Sequence, residues 1–377
     1  MKKFVVSGGG TGGHIYPALA IIRGLQKKWP DCRILYIGSA KGIEKEIVTR
    51  QEIPFASIDI NRGINRSHLV SSVLEACRSV PASFLEARKE LRAFRPDAVI
   101  GTGGYVSFPV LSAAEWLKIP AFIHEQNAWP GITNRLLARR AAAAMLTFEE
   151  ARLHLKARRV VLTGLPVRPE ILEADRAAAK AFLQLDDTFT LLIFGGSLGA
   201  ASINRATEEM LPDLKDSNLQ ILWITGNAHY EAIHQQMEEK GYLAGDTPLK
   251  LRLYPYLYEM DQAMAASDLA VCRCGAATLS ELEIMGLPAV LIPYPYATEN
   301  HQEKNGLSLA QRGAGILIRD EALNGGILRQ EIEKIRQSPE NQQRMKQQMK
   351  QLGQPDSLKK IIAEIERGML LQPGRRW

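Results

Sequence analysis

The sequence predicts an α/β protein of two Rossmann-like domains whose parallel sheets face each other across a deep cleft. Three observations predict it. Short apolar β-type runs alternate with helical patterns from end to end. Two of those runs, residues 4–6 and 190–194, empty into glycine turns that open helices, so the grammar starts afresh half-way along the chain. A chain of 377 residues exceeds one ordinary core and suits two domains of roughly 150 to 200 residues each.

Taken in order, residues 1–164 are expected to form the first domain, with strands at 4–6, 34–37, 98–100, 121–123 and 160–162. The run Thr163-Gly164-Leu165-Pro166-Val167-Arg168-Pro169 is Gly/Pro punctuation that suits a hinge. Residues 165–350 then repeat the pattern, with strands at 190–194, 220–224, 249–253, 269–272, 289–292 and 316–318. The polar, helical residues 351–377 are expected to return to the first domain.

Composition narrows the class. No apolar run approaches the roughly 20 residues of a membrane span, and strand residues follow Met1-Lys2-Lys3 directly, so the reading is a cytosolic chain without a signal peptide. Four cysteines are too few and too irregular for a disulfide framework, and Cys272-Arg273-Cys274 lacks a second Cys/His pair, so no metal is expected. The net charge of +6 is mild, and no nucleic-acid partner is expected. It is concentrated at residues 62–95, where Arg62, Arg66, Arg78, Arg88, Lys89, Arg92 and Arg95 accompany Leu69, Val73, Cys77, Val80, Phe84 and Leu91 at helical spacing. Most of that apolar stripe reads as a helix packed on a sheet, with part of it and nearby Trp116 exposed beside arginines, as on an anionic membrane surface.

The run Gly8-Gly9-Gly10-Thr11-Gly12-Gly13-His14 reads as a phosphate or sugar cradle, because glycines admit close backbone approach and the following helix presents unpaired N–H groups. The pattern also fits a dinucleotide fingerprint, but the second strand ends in Gly38-Ser39-Ala40-Lys41, with no acid for a ribose 2′-hydroxyl. Further glycine turns and polar strand mouths follow: Gly101-Thr102-Gly103-Gly104-Tyr105, His124-Glu125-Gln126-Asn127, Gly195-Gly196-Ser197-Leu198-Gly199, Gly275 to Glu281, and Asn300-His301-Gln302. Glu281 stands under two turns into a helix, a position suited to both hydroxyls of a ribose. The absence of any Asp-x-Asp pair leaves a departing diphosphate to helix dipoles, backbone N–H groups and an arginine such as Arg168.

As a set, Gly9-Gly10-Thr11-Gly12-Gly13-His14, Gly103-Gly104-Tyr105, His124-Glu125-Gln126-Asn127, Pro166-Val167-Arg168, Gly195-Gly196-Ser197 and Ser280-Glu281 resemble the MurG family in order and spacing from residue 4 to about 320. The resemblance implies a GT-B fold and an inverting transfer of N-acetylglucosamine (GlcNAc) from UDP-GlcNAc to the 4-hydroxyl of undecaprenyl-pyrophosphoryl-N-acetylmuramyl-pentapeptide (lipid I), giving lipid II for peptidoglycan. It implies no cofactor, and a peripheral place on the cytoplasmic face of the membrane. Substrate contacts carry over to Thr11, Gly12, Gly13, Asn127, Arg168, Ser197, Ala276, Ala277, Thr278, Leu279, Ser280, Glu281 and Gln302, with a backbone contact to uracil at Leu257. The chain departs from the family pattern at Leu198, Cys274 and His301, around the diphosphate and the transferred sugar.

An inverting transfer needs a base, and a histidine of ordinary pKa suits pH 7. His14 is the expected base, with Glu125 as the alternative base or as the group that orients His14. Three other readings stay open at this point: a related GT-B lipid glycosyltransferase such as a diacylglycerol sugar transferase, an NAD-dependent oxidoreductase, and a non-catalytic UDP-sugar sensor.

Overall fold

A computed structural model of the chain describes residues 1–60, 69–196, 199–245 and 247–371, with the backbone alone for 69–80. By internal contact it divides into two compact units, Met1–Pro166 joined by the segment from Asp356 onward, and Val167–Pro355. Of the basic segment, Arg62 and Arg66 lie outside the described residues.

The first unit is built on seven parallel strands: β1 (Lys3–Ser7), β2 (Arg33–Ser39), β3 (Phe55–Ile58), β4 (Ala98–Gly101), β5 (Ala121–Glu125), β6 (Ala143–Leu146) and β7 (Val160–Leu162). Their order is β3-β2-β1-β4-β5-β6-β7, so the winding reverses between β1 and β4. Ser7 and Gly101 are register partners at that point, which sends two turns off the same sheet edge side by side. β4, β5 and β6 are buried at every residue, as expected of parallel strands covered on both faces. The sequence does not lead one to expect β3 or β6. Ala143-Ala144-Met145-Leu146 lacks β-branched residues and becomes a strand through burial between β5 and β7.

The second unit has six parallel strands: β8 (Thr190–Phe194), β9 (Leu219–Ile224), β10 (Leu249–Tyr254), β11 (Leu269–Cys272), β12 (Ala289–Leu291) and β13 (Gly315–Leu317), in the order β10-β9-β8-β11-β12-β13. Reversal falls between β8 and β11, where Phe194 and Cys272 are partners.

In the first unit, the helix Gly12–Lys28 lays Ile15, Leu19 and Ile22 against Phe4, Val6 and Ile100. Into the same cluster the last helix, Ser357–Leu371, inserts Ile361, Ile362, Ile365 and Met369. Its seat is fixed by a two-bond ion pair, Arg159 Nε to Glu364 Oε2 at 2.6 Å and Nη2 to Oε1 at 2.7 Å. Ile365 is fully buried, so Ile365→Ala is expected to destabilise this unit by about 2–5 kcal/mol. Urea unfolding read on the first unit checks this; an unmoved midpoint would show that the terminal helix is not part of its core.

Candidate functional site

In the first unit, β1 ends at Ser7 and the chain turns through residues 8–11 into the helix Gly12–Lys28. The turn after β4 presses directly on it. Gly104 has φ +81°, and a Cβ there would lie 2.2 Å from the Gly9 carbonyl oxygen, so only glycine fits. Thr102 Oγ1 donates to the His14 carbonyl at 2.7 Å, which locks the two turns together, and Ser107 Oγ donates to the Gly103 carbonyl at 2.6 Å, which closes the second turn on itself.

Beneath them lies a carboxylate that the sequence did not reveal. Glu44 is completely buried; its Oε2 accepts from Gly10 N–H at 3.3 Å and its Oε1 from Ser39 N–H at 3.0 Å. The Gly10 N–H is therefore committed inward, and the anion cradle narrows to the helix start at Thr11, Gly12 and Gly13, which no side chain caps. An acid does serve the end of β2, five residues beyond Ser39, and it holds the loop.

His14 is partly exposed, with Nδ1 3.0 Å from the Thr102 carbonyl oxygen and 3.1 Å from Gln126 Oε1. Burial pulls its pKa below the ordinary value, and the bonds to Gln126 and Thr102 offset this in part, so the ring is neutral at pH 7. Glu125, expected as alternative base or as the orienting group, is differently employed. Its buried carboxylate accepts from Asn127 N–H at 2.9 Å, Gly131 N–H at 3.1 Å and Asn134 Nδ2 at 2.7 Å. It shapes the loop after β5, and the side chain that reaches His14 is Gln126. Desolvation raises the Glu125 pKa, against the pull of those donors. Asn127 is partly exposed at the rim of this loop. Behind Gln126, the fully buried His124 donates from Nε2 to the Gly164 carbonyl at 3.0 Å, and burial lowers its pKa to about 4.

In the second unit a concavity of about 650 Å³ opens at the carboxyl ends of β8, β11 and β12. Two helices begin on its wall, Ala201–Leu214 and Ala276–Met285, and neither has a side-chain cap, so their first N–H groups are available to an anion. Gly199, at φ +80°, is forced by packing: a Cβ would sit 2.4 Å from the Thr225 carbonyl oxygen. Gln302 Oε1 accepts from Cys274 N–H at 3.1 Å and Tyr294 N–H at 3.0 Å, which pins two loops and leaves Nε2 as the amide's donor on the cavity wall. On the cavity lining, Arg273 bonds to Asp320, to the Pro293 carbonyl at 3.1 Å and to Ser202 Oγ at 2.8 Å.

Arg168 Nε donates to Glu281 Oε1 at 2.9 Å, at the side of the helix Ala276–Met285. Burial raises the Glu281 pKa while Arg168 pulls it down. Along that helix, Ala276, Ala277 and Thr278 are at least partly exposed, whereas Leu279 and Ser280 are buried and the Leu279 N–H is committed to the Gly275 carbonyl at 3.0 Å. Leu257 is buried in the loop after β10. Ser197 lies outside the described residues, as does Leu198.

Comparison with known proteins matches this architecture to function. The N-terminal domain of glycosyltransferase family 28 matches residues 4–146, and its C-terminal domain residues 190–361. A relative from Desulforamulus reducens, named UDP-N-acetylglucosamine--N-acetylmuramyl-(pentapeptide) pyrophosphoryl-undecaprenol N-acetylglucosamine transferase, is 45% identical over 97% of this chain and 98% of its own. A relative of the same name from Bacillus subtilis is 41% identical over 97% of this chain and 99% of its own. The crystal structure of MurG from Acinetobacter baumannii superposes with a TM-score of 0.79 at 30% identity, covering 97% of this chain and all of that one. The chain belongs to the MurG family of glycosyltransferases. The MurG fold is GT-B, and the two parallel-sheet units are its two halves. Membership makes the chain a transferase and sets aside the oxidoreductase reading. A UDP-GlcNAc 2-epimerase from Neisseria meningitidis, 16% identical with a TM-score of 0.60, shares the fold alone.

A neutral buried His124 gives the MurG-type first unit an acid weakness. Its folded pKa of about 4 lies below the unfolded value near 6.5, so the contribution is whole above pH 6.5 and is lost as pH falls through 4. By pH 4.5 about 2–3 kcal/mol of it is lost. Urea unfolding at pH 7 and 4.5 should show that difference reduced in His124→Asn; an equal pH slope in both proteins would assign the acid sensitivity elsewhere.

Proposed function

We propose that the protein transfers GlcNAc from UDP-GlcNAc to the 4-hydroxyl of lipid I, with inversion, to give lipid II. One observation carries the reading: relatives named for this transfer match 97% of the chain at 41% and 45% identity. The geometry of both units supports it. In the second unit, the open starts of the helices Ala201–Leu214 and Ala276–Met285 take the UDP diphosphate, and Ser197 is assigned to the same donor by the family resemblance. Glu281 accepts the ribose hydroxyls, Leu257 offers backbone to uracil, and Gln302 Nε2 faces the sugar. Arg168, held beside Glu281, supplies positive charge as the diphosphate leaves. In the first unit, Thr11, Gly12, Gly13 and Asn127 contact substrate around His14.

The acceptor O4 attacks the anomeric carbon from the face opposite UDP. The bond from that carbon to the phosphate oxygen breaks, its electron pair leaves with UDP, and the O4 proton passes to His14. His14→Ala is expected to lower kcat by about 10²–10⁴ while UDP-GlcNAc binds with unchanged affinity in a calorimetric titration. Turnover restored by saturating donor would remove His14 from the role of base. The reaction itself is tested with labelled UDP-GlcNAc and a short-chain lipid I analogue, without added metal. Disaccharide product supports the reading, and transfer to diacylglycerol instead would favour the related lipid glycosyltransferase.

For an acceptor held in a membrane, the enzyme docks peripherally on the anionic cytoplasmic face. No helix among the described residues is long and apolar enough to cross a membrane. Trp116 is 56% exposed, with the guanidinium of Arg88 4.2 Å and that of Arg92 5.6 Å from its ring centre, and Leu85 is exposed on the same helix as those arginines. An apolar ring among cations suits the boundary between headgroups and acyl chains. At about 1 kcal/mol per basic residue, replacing Arg88 and Arg92 with Glu should weaken binding to phosphatidylserine-containing vesicles by about thirtyfold or more. Unchanged vesicle binding would place the docking surface elsewhere.

A further inference from the structure

His14, Gln126 and His124 are joined in a chain of hydrogen bonds whose direction has one solution. It starts at the Gly164 carbonyl, which only accepts, so the Nε2 of His124 3.0 Å away carries a hydrogen. In a neutral ring the Nδ1 of His124 is then a bare lone pair. It lies 3.0 Å from Gln126 Nε2, and the His124 carbonyl oxygen lies 3.0 Å from that same nitrogen. Two acceptors at one end of the amide fix its sense: NH2 towards His124, oxygen towards His14. Reversing the amide would set its oxygen against both acceptors. At the other end, Gln126 Oε1 and the Thr102 carbonyl both accept from His14 Nδ1, at 3.1 and 3.0 Å. Nδ1 therefore holds the hydrogen, and Nε2 carries the lone pair.

We propose that Gln126 is a positioning residue for the transfer: with its amide sense set by His124, it holds His14 as the Nδ1–H tautomer and leaves Nε2 as the proton acceptor. This rests on the assignment of His14 as the base. The device explains why a glutamine stands here. A leucine of similar reach would leave Thr102 as the only acceptor at Nδ1. A glutamate would offer no hydrogen to the two acceptors of His124 and would place a charge against Nδ1–H. The titratable group linked to His14 through this chain is His124, which burial keeps neutral. The neighbouring carboxylate of Glu125 is turned to Asn127, Gly131 and Asn134.

The test uses the full chain with ¹⁵N-labelled histidine, because two-bond couplings between ring protons and nitrogens report the tautomer without reference to activity. The wild-type signals, assigned by their loss in His14→Ala, should show Nδ1–H. In Gln126→Leu, where Nδ1 keeps the Thr102 carbonyl but loses its second acceptor, the preference for Nδ1–H should weaken measurably, kcat should fall at least tenfold, and the KM for UDP-GlcNAc should change less than twofold. In Gln126→Glu the acidic limb of kcat should move to higher pH by about one unit, since an opposite charge beside the ring favours imidazolium. A purely structural role would lower stability while leaving the tautomer and the pH limb in place, and that result would overturn the proposal. Should the leucine variant fail to fold, the near-isosteric glutamate variant decides alone by its pH limb. Retained turnover in His14→Ala would remove the base assignment, whereas the tautomer signals would still show whether Gln126 orients the ring.

Discussion

Backbone meets backbone at the carboxyl edge of the first sheet, and the site is arranged around that approach. β1 and β4 are neighbours in register, so the turns that follow them leave the sheet at one place, with no room between them for a side chain. Glycine at position 104 lets the second turn lie on the Gly9 carbonyl. That contact brings Thr102 to the first turn of the helix, where its hydroxyl meets the His14 carbonyl and its own carbonyl meets the His14 ring. The second sheet has the same constraint between the turns after β8 and β9, solved by Gly199 against Thr225. In the first unit the result is a close-packed strand-to-helix turn, and that packing lets a loop present a side chain in one orientation.

What could be read in advance was local. Glycine turns, apolar runs and a histidine at a loop's end are recorded in adjacent residues, and the strand-turn-helix units follow from them. β6 was hidden because alanine and methionine carry no strand preference of their own, and β3 because four residues with one β-branched side chain give little pattern. Glu44 was hidden for another reason. The expected acid sits at the end of a strand, while this carboxylate reaches the same place from the helix Ile43–Thr49 and bonds a loop 34 residues away in sequence. Gln126 is legible as one of four polar residues at a strand mouth, and its particular role follows from the face it takes. Side chains alternate faces along β5 and just beyond it, so His124 and Gln126 share one face and Glu125 takes the other. That period of two separates the residue that touches His14 from the one that organises the next loop.

In the second unit the same edge is prepared for negative charge by leaving helices open. Elsewhere in that unit Asp175, Asn324 and Ser338 cap helices with their own side chains. The helices that begin on the cavity wall, after Ala200 and Gly275, have no such cap. Each uncapped start retains N–H groups and the positive end of the peptide dipoles. The polar side chains near them are spent on holding the frame. Gln302 ties Cys274 to Tyr294, and Arg273 bonds Asp320, Ser202 and carbonyl oxygens. Arg273 thus braces loops on the cavity wall, and Arg168 is the cation placed beside Glu281.

Glu44 and Glu125, the two buried carboxylates among the described residues of the first unit, show why a histidine suits the role of base in the proposed reaction. A bare carboxylate about 6 Å from a diphosphate oxygen would be repelled by roughly 3 kcal/mol at an effective dielectric of about 20. Glu44 and Glu125 are turned away from that conflict, their oxygens bonded to amide hydrogens of the loops they shape. A carboxylate acting as base would bring that negative charge to the substrate and then lose it on taking the proton, just as charge builds on the departing UDP. A neutral imidazole does the opposite. Burial keeps His14 uncharged before transfer, and the proton it takes makes it a cation while the leaving group gains negative charge. The attraction appears in the transition state and is absent from the ground state, which is the condition under which an interaction raises kcat.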